Sequence, residues 1–93
     1  MKDKTAKGFF IVKNEKGLHT RPATELVKCA NTFSSEVRLI YKNLIVNAKS
    51  LLGILMMAAS KGTKIQIVAK GKDAFEAIEA LQKLASNKFN IRY

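Results

Sequence analysis

Gly17-Leu18-His19-Thr20-Arg21-Pro22-Ala23 places the only histidine of a 93-residue chain where an extended segment gives way to an amphipathic helix. The first N–H groups of a helix lack intrahelical partners and the macrodipole is positive there, so that end favours an anion such as a phosphoryl group. Arg21 adds a permanent cation two residues on. Pro22 suits the first helical turn, where its missing N–H removes no hydrogen bond. A neutral imidazole in this position offers phosphorus a nucleophilic nitrogen. The same amides and guanidinium would stabilise a phosphoramidate only modestly, so onward transfer is expected. That is the chemistry of a carrier. The plain alternative for a lone histidine is a helix cap or a surface group without chemistry.

Nothing else in the chain supplies a self-contained active site. There is one histidine, no paired carboxylate near it, no glycine-rich nucleotide loop and no metal-ligand cluster, so neither a cofactor nor a metal is expected. Cys29 is the only cysteine, which excludes an intramolecular disulfide and suits a reducing compartment. Its position close to Leu26 and Phe33 predicts a buried, unreactive thiol.

The elements that must hold His19 can be read from periodicity. Leu26, Val27, Ala30 and Phe33 recur at the spacing of one helical face after Ala23. Phe9–Lys13 predicts a short strand, and Val37–Tyr41 and Leu44–Ala48 flank Lys42-Asn43 as a hairpin. From Thr63 to Ala69 apolar and polar residues alternate, with Ile65, Ile67 and Ala69 on one side. Ser50 is a favoured N-cap for a second helix. Asp73 with Glu76 predicts a capping box for a third, whose buried stripe is Phe75, Ile78, Leu81, Leu84 and Ala85. The order is βαββαβα, an α+β arrangement, with strand order left open. A length of 93 residues and 47% hydrophobic content suit one domain over residues 1–93. Its core is expected over about residues 9–85, with Asn87–Tyr93 a frayed extension. The charged segment Met1–Lys7 is followed by only four apolar residues, too few for a signal peptide. The apolar run Leu51–Ala59 is too short to span a bilayer. These features predict a soluble, cytoplasmic protein.

The heptad at His19, followed by Asn47-Ala48-Lys49-Ser50-Leu51-Leu52-Gly53 and Lys61-Gly62-Thr63, resembles the HPr family. These are the histidine-containing phosphocarriers of the bacterial phosphoenolpyruvate-dependent sugar phosphotransferase system. The three blocks occur in the family's order and spacing, and the likeness covers about residues 9–85. It implies an open-faced β-sandwich, a four-stranded antiparallel sheet covered on one face by three helices. By the same resemblance His19 accepts the phosphoryl group on the ring nitrogen nearer the backbone and Arg21 assists it. The donor would be phospho-enzyme I, and the recipients sugar-specific IIA proteins or domains. Ser50 corresponds to the serine that an HPr kinase/phosphorylase modifies in some branches; its plain role is the N-cap. Partner contacts are implied at Thr20, Lys28, Lys49, Leu51, Leu52 and Leu55. The chain departs from the family at Lys16, where many members carry Asn, Ser or Thr, so a side-chain acceptor is replaced by a cation.

Leu51, Leu52, Ile54, Leu55, Met56 and Met57 cannot all point inward, since they spread around more than one helical face. The outward ones would form an apolar docking patch beside His19 once both helix starts come together, rimmed by Arg21, Lys28, Lys49 and Lys61. The protein is expected to act as a monomer through small, transient contacts. The net charge of +10 suggests a rival: no Asp or Glu occurs from Val37 to Lys72, a window holding seven Lys and Arg. A nucleic-acid-binding module is one alternative. Against it, there is no zinc-ligand set, no Gly-x-x-Gly clamp and no strand of interleaved aromatics, Phe9 and Phe10 pointing to opposite faces. A regulation-only protein acting through Ser50 is the other alternative.

Overall fold

The structure, a computed structural model, describes residues 4–93; the first three residues of the charged Met1–Lys7 segment lie outside the described residues. Its elements are β1 (Lys4–Ile11), α1 (Thr20–Asn31), β2 (Glu36–Tyr41), β3 (Leu44–Asn47), α2 (Leu51–Met56), β4 (Lys64–Gly71) and α3 (Ala74–Ser86). The four strands form one antiparallel sheet in the order β1-β4-β2-β3. This is the expected open-faced βαββαβα arrangement.

Alternation in the strands sorts the side chains. Ala6 and Phe10 of β1, Val37 and Leu39 of β2, Val46 of β3 and Ile65, Ile67 and Ala69 of β4 are buried. They pack with Leu26 and Ala30 of α1, Ile54 of α2 and Ile78 and Leu81 of α3 in one core. The other sheet face is uncovered and basic: Lys7, Arg38, Lys64 and Lys70 are exposed there, and the Lys64 ammonium lies 4.2 Å from the centre of the exposed Phe9 ring. Lys42, at φ 54°, closes the hairpin between Tyr41 and Leu44.

Several expectations are corrected by packing. β1 runs over Lys4–Ile11, not Phe9–Lys13. Phe75 is 55% exposed; it lies about 100° around the helix from Ala74, and the buried stripe of α3 is Ala74, Ala77, Ile78, Leu81 and Ala85, with Leu84 half-buried. The capping box does not form. The Asp73 carboxylate instead accepts from the Ser34 and Ser35 N–H groups, 2.9 Å each, and from the Ser35 hydroxyl. These donors from the α1–β2 connection outcompete the start of α3 for it. Gly71, at φ 149°, lets β4 reach this lock, because a Cβ there would stand 2.7 Å from Ser35 Cα. Cys29 is half-buried, and that burial pushes its thiol pKa up.

The tail beyond Ala85 is not frayed, and the core is wider than residues 9–85. Lys88, Phe89 and Asn90 take φ of 54°, 56° and 62° in succession, a left-handed turn. Such conformations cost about 1–2 kcal/mol per non-glycine residue. Phe89 is fully buried, edge-on to Phe10 with ring centres 5.7 Å apart. Truncating such a side chain costs about 3–5 kcal/mol, so its burial is of the size needed to hold the strained turn. Buried Asn14 donates to the Lys88 carbonyl at 2.9 Å and the Tyr93 carbonyl at 3.0 Å and pins the segment further.

The Asp73 lock has a pH signature. Donation from the Ser35 hydroxyl, followed by that from the Ser34 N–H, lowers its carboxyl pKa from 3.8 to about 2. A depressed carboxylate contributes stability above its unfolded value and loses it as pH falls through the folded value. Thermal melts followed by circular dichroism should therefore show wild-type stability falling between about pH 4 and pH 2 more steeply than that of Asp73→Asn. Parallel profiles in that window would refute the lock.

Candidate functional site

His19 is held by backbone lacing on both sides. Before it, Val12 N–H donates to the Thr63 carbonyl at 2.9 Å and the Val12 carbonyl accepts the Gly62 N–H at 2.8 Å, while Leu18 N–H donates to the Ala59 carbonyl at 2.9 Å. Leu18 is buried. Gly17, at φ 71°, lies so close to this connection that a Cβ would stand 2.2 Å from the Ala59 oxygen. After it, α1 begins: His19 is the N-cap residue, in extended conformation, and its carbonyl accepts the Ala23 N–H at 3.0 Å. Pro22 occupies the first turn and is buried. The N–H groups of Thr20 and Arg21 are the first-turn donors without an intrahelical acceptor. No acidic residue lies in that turn. The helix start is an uncancelled positive end.

The imidazole does not cap the helix. Its Nε2 is buried with no hydrogen-bond partner among the described residues, and Nδ1 is the ring nitrogen left open. The ring lines a shallow depression with Lys16, Thr20, Leu55, Ala58 and Ser60. Over one face lies Tyr93, ring centres 5.7 Å apart and planes 17° apart. Arg21 Nη1 donates to the Tyr93 hydroxyl. Lys16 and Arg21 stand 5.0 Å and 5.4 Å from the centre of the same ring. No group of three His, Cys, Asp or Glu among the described residues could hold a metal ion.

The expected partner residues divide. Leu55 borders His19, whereas Lys49 donates to the Phe33 carbonyl at 2.8 Å, just beyond the C-terminal end of α1. The end of α2, not its start, therefore neighbours the start of α1, which corrects the expectation that both helix starts meet. Ser50 stands at the far end of α2, a rise of about 7 Å from Leu55. Its hydroxyl accepts the Gly53 N–H at 3.0 Å, the expected N-cap. Along α2 Leu51, Leu52 and Met56 are exposed, Leu52 to 70% and Met56 to 65%, while Ile54 and the cap residue Met57 are buried. Thr20 is exposed beside His19. Lys28 is not brought to this surface: it pairs with Glu25 at 3.4 Å and lines the groove between α1 and α3 with Lys83 and Leu84. Lys61 pairs with Glu15 at 3.0 Å. That contact, led by the hydrogen bond from Lys61, lowers the Glu15 pKa.

A family model described as the PTS HPr component phosphorylation site matches residues 7–87. The chain belongs to the HPr family. The phosphocarrier protein HPr of Treponema pallidum (strain Nichols) is 40% identical over 78 residues, 84% of this chain and 89% of that protein. That of Xylella fastidiosa (strain 9a5c) is 42% identical over 80 residues, 86% and 90% of the two. The crystal structure of HPr-C-His from Thermoanaerobacter tengcongensis superposes with a TM-score of 0.89 at 39% identity, covering 95% of this chain and 99% of that one. A mycoplasma histidine-containing phosphocarrier protein gives 0.84 at 38% identity, covering 95% and 100%. The HPr relatives are named phosphocarrier proteins, carriers rather than enzymes. No helix among the described residues is long and apolar enough to cross a membrane.

Asn14 and Tyr93 were invisible as site residues in the sequence. Tyr93 lies 72 positions from Arg21, and the only trace of its docking was the apolar spacing of Phe89, Ile91 and Tyr93. For the histidine loop the test is Gly17→Ala. Its side chain would meet the Ala59 carbonyl at a positive φ, so stability should drop by more than about 1 kcal/mol in thermal melts. The Leu18 and His19 amide signals should move in NMR spectra; unmoved signals would mean that the close approach is not needed.

Proposed function

We propose that the chain takes a phosphoryl group from phospho-enzyme I onto His19 Nδ1 and passes it to sugar-specific IIA proteins or domains, acting as a cytoplasmic monomer. The observation that carries this is the geometry of His19, an N-cap residue whose buried Nε2 leaves Nδ1 as the nitrogen to react, at a helix start where the Thr20 and Arg21 amides lack intrahelical acceptors. In the transfer the in-plane lone pair of Nδ1 forms a bond to phosphorus as the donor's bond to it breaks. The three phosphoryl oxygens keep their charge throughout. Arg21 and the helix N–H groups stabilise that charge, and reversal of the same step delivers it to the acceptor. Leu51, Leu52, Leu55 and Met56 form the apolar part of the docking surface, with Thr20 and Arg21 at its His19 end.

Ser50 is proposed as a regulatory phosphorylation site for an HPr kinase/phosphorylase. It lies at the other end of the same apolar surface, so a phosphate of about −1.5 to −2 charges would enter the docking interface without touching His19. Regulation would act on partner binding.

Intact-mass spectrometry after incubation with phosphoenolpyruvate and enzyme I tests the carrier role. The wild type should gain one acid-labile phosphate and His19→Ala none; an adduct persisting in the variant would place the chemistry elsewhere. Ser50→Asp should slow phosphorylation of His19 about tenfold, a loss of about 1.4 kcal/mol, chiefly through KM for phospho-enzyme I. Rates equal to wild type would rule the regulatory role out.

A further inference from the structure

The left-handed turn at Lys88–Asn90 sends the chain back across the molecule, where Asn14 holds its carbonyls and Tyr93 comes to rest on His19. Three consecutive residues in a disfavoured conformation persist only where the surroundings over-determine them, and such strain clusters at functional sites. Here it delivers one aromatic ring to one imidazole.

The geometry determines what that ring can do. With 17° between planes and ring centres 5.7 Å apart, Tyr93 lies offset and nearly parallel against the imidazole. The Nδ1 lone pair lies in the imidazole plane, so the stacked ring leaves the line of attack on phosphorus open while opposing rotation of the imidazole. The phenol oxygen receives one N–H of Arg21. A guanidinium carries five donors, and the others stay available to phosphoryl oxygens. Lys16, the residue that departs from the family pattern, is drawn to the same phenol ring. Tyr93 thus adjoins the nucleophile's ring and both neighbouring cations.

We propose that Tyr93 is a positioning residue for phosphoryl transfer: its ring fixes the His19 imidazole and its hydroxyl fixes the Arg21 guanidinium, so that both meet the phosphoryl group preset. This rests on the reading of His19 as the acceptor.

The experiment uses the full chain as wild type, Tyr93→Phe and Tyr93→Ala. Imidazole 1H–15N NMR spectra of the unphosphorylated proteins need no donor and report ring ordering directly. They should be sharp and alike in wild type and Tyr93→Phe, and broadened or shifted toward averaged values in Tyr93→Ala. In steady-state assays with phospho-enzyme I, kcat/KM should fall about tenfold in Tyr93→Ala and about threefold in Tyr93→Phe, which keeps the ring but not the hydroxyl. The phosphohistidine should hydrolyse faster in both. Three identical imidazole spectra with identical rates would overturn the proposal. So would faster transfer in Tyr93→Ala, the mark of a tail that obstructs the site. If even the wild type takes up no phosphate, the acceptor reading of His19 fails, and the imidazole spectra still decide whether Tyr93 orders the ring.

Discussion

The contact between the Gly17 backbone and the Ala59 carbonyl leaves no room for a side chain, and the geometry of the site depends on it. With Leu18 bonded to Ala59 and Val12 bonded to Gly62 and Thr63, the segment before α1 is fastened to the connection between α2 and β4. The helix then starts at a fixed point, with its cap residue at a fixed height above the core. His19 owes its exposure on one side and its burial on the other to that placement, because its own side chain caps nothing. The same fastening brings the end of α2 against the imidazole, and with it Leu55 and the turn at Ala58.

Local chemistry was legible where one residue type answers one backbone need. Pro22 in a first turn, Ser50 as an N-cap and the alternation through Ile65, Ile67 and Ala69 each follow from a constraint acting over a few residues, and each is found as expected. Misreadings arose where a distant partner competed. Asp73 had the spacing of a capping box, but Ser34 and Ser35 supply donors to its carboxylate from across the fold. Phe75 is apolar and yet lies off the stripe, since the phase of α3 is set by several small residues, Ala74, Ala77 and Ala85, which carry little hydrophobic signal of their own. The likeness to the family supplied what periodicity could not, the layered architecture, while the docking of the tail is written in neither.

The tail is where local and global preferences part most sharply. Lys88 and Phe89 have no intrinsic tendency to turn left-handed, although Asn90 tolerates it, and the burial of Phe89 against Phe10 with the two bonds from Asn14 holds the turn. Conflict of this kind between local propensity and the final fold is expected at sites kept for function rather than for stability.

The uncovered face of the sheet has a colloidal consequence. Phe9, Ile11 and Ile45 are exposed there, apolar side chains that would otherwise invite a second sheet to lie down on them. Lys7, Lys64 and Lys70 stand among them, with Arg38 paired to Glu36, so two copies approaching back to back bring like charges together before any apolar surface is buried. Repulsion on the back and apolar surface on the α1–α2 side divide the molecule into a face that holds other copies off and a face that can be gripped. On the proposed carrier reading, this polarity favours encounters from the side that holds His19.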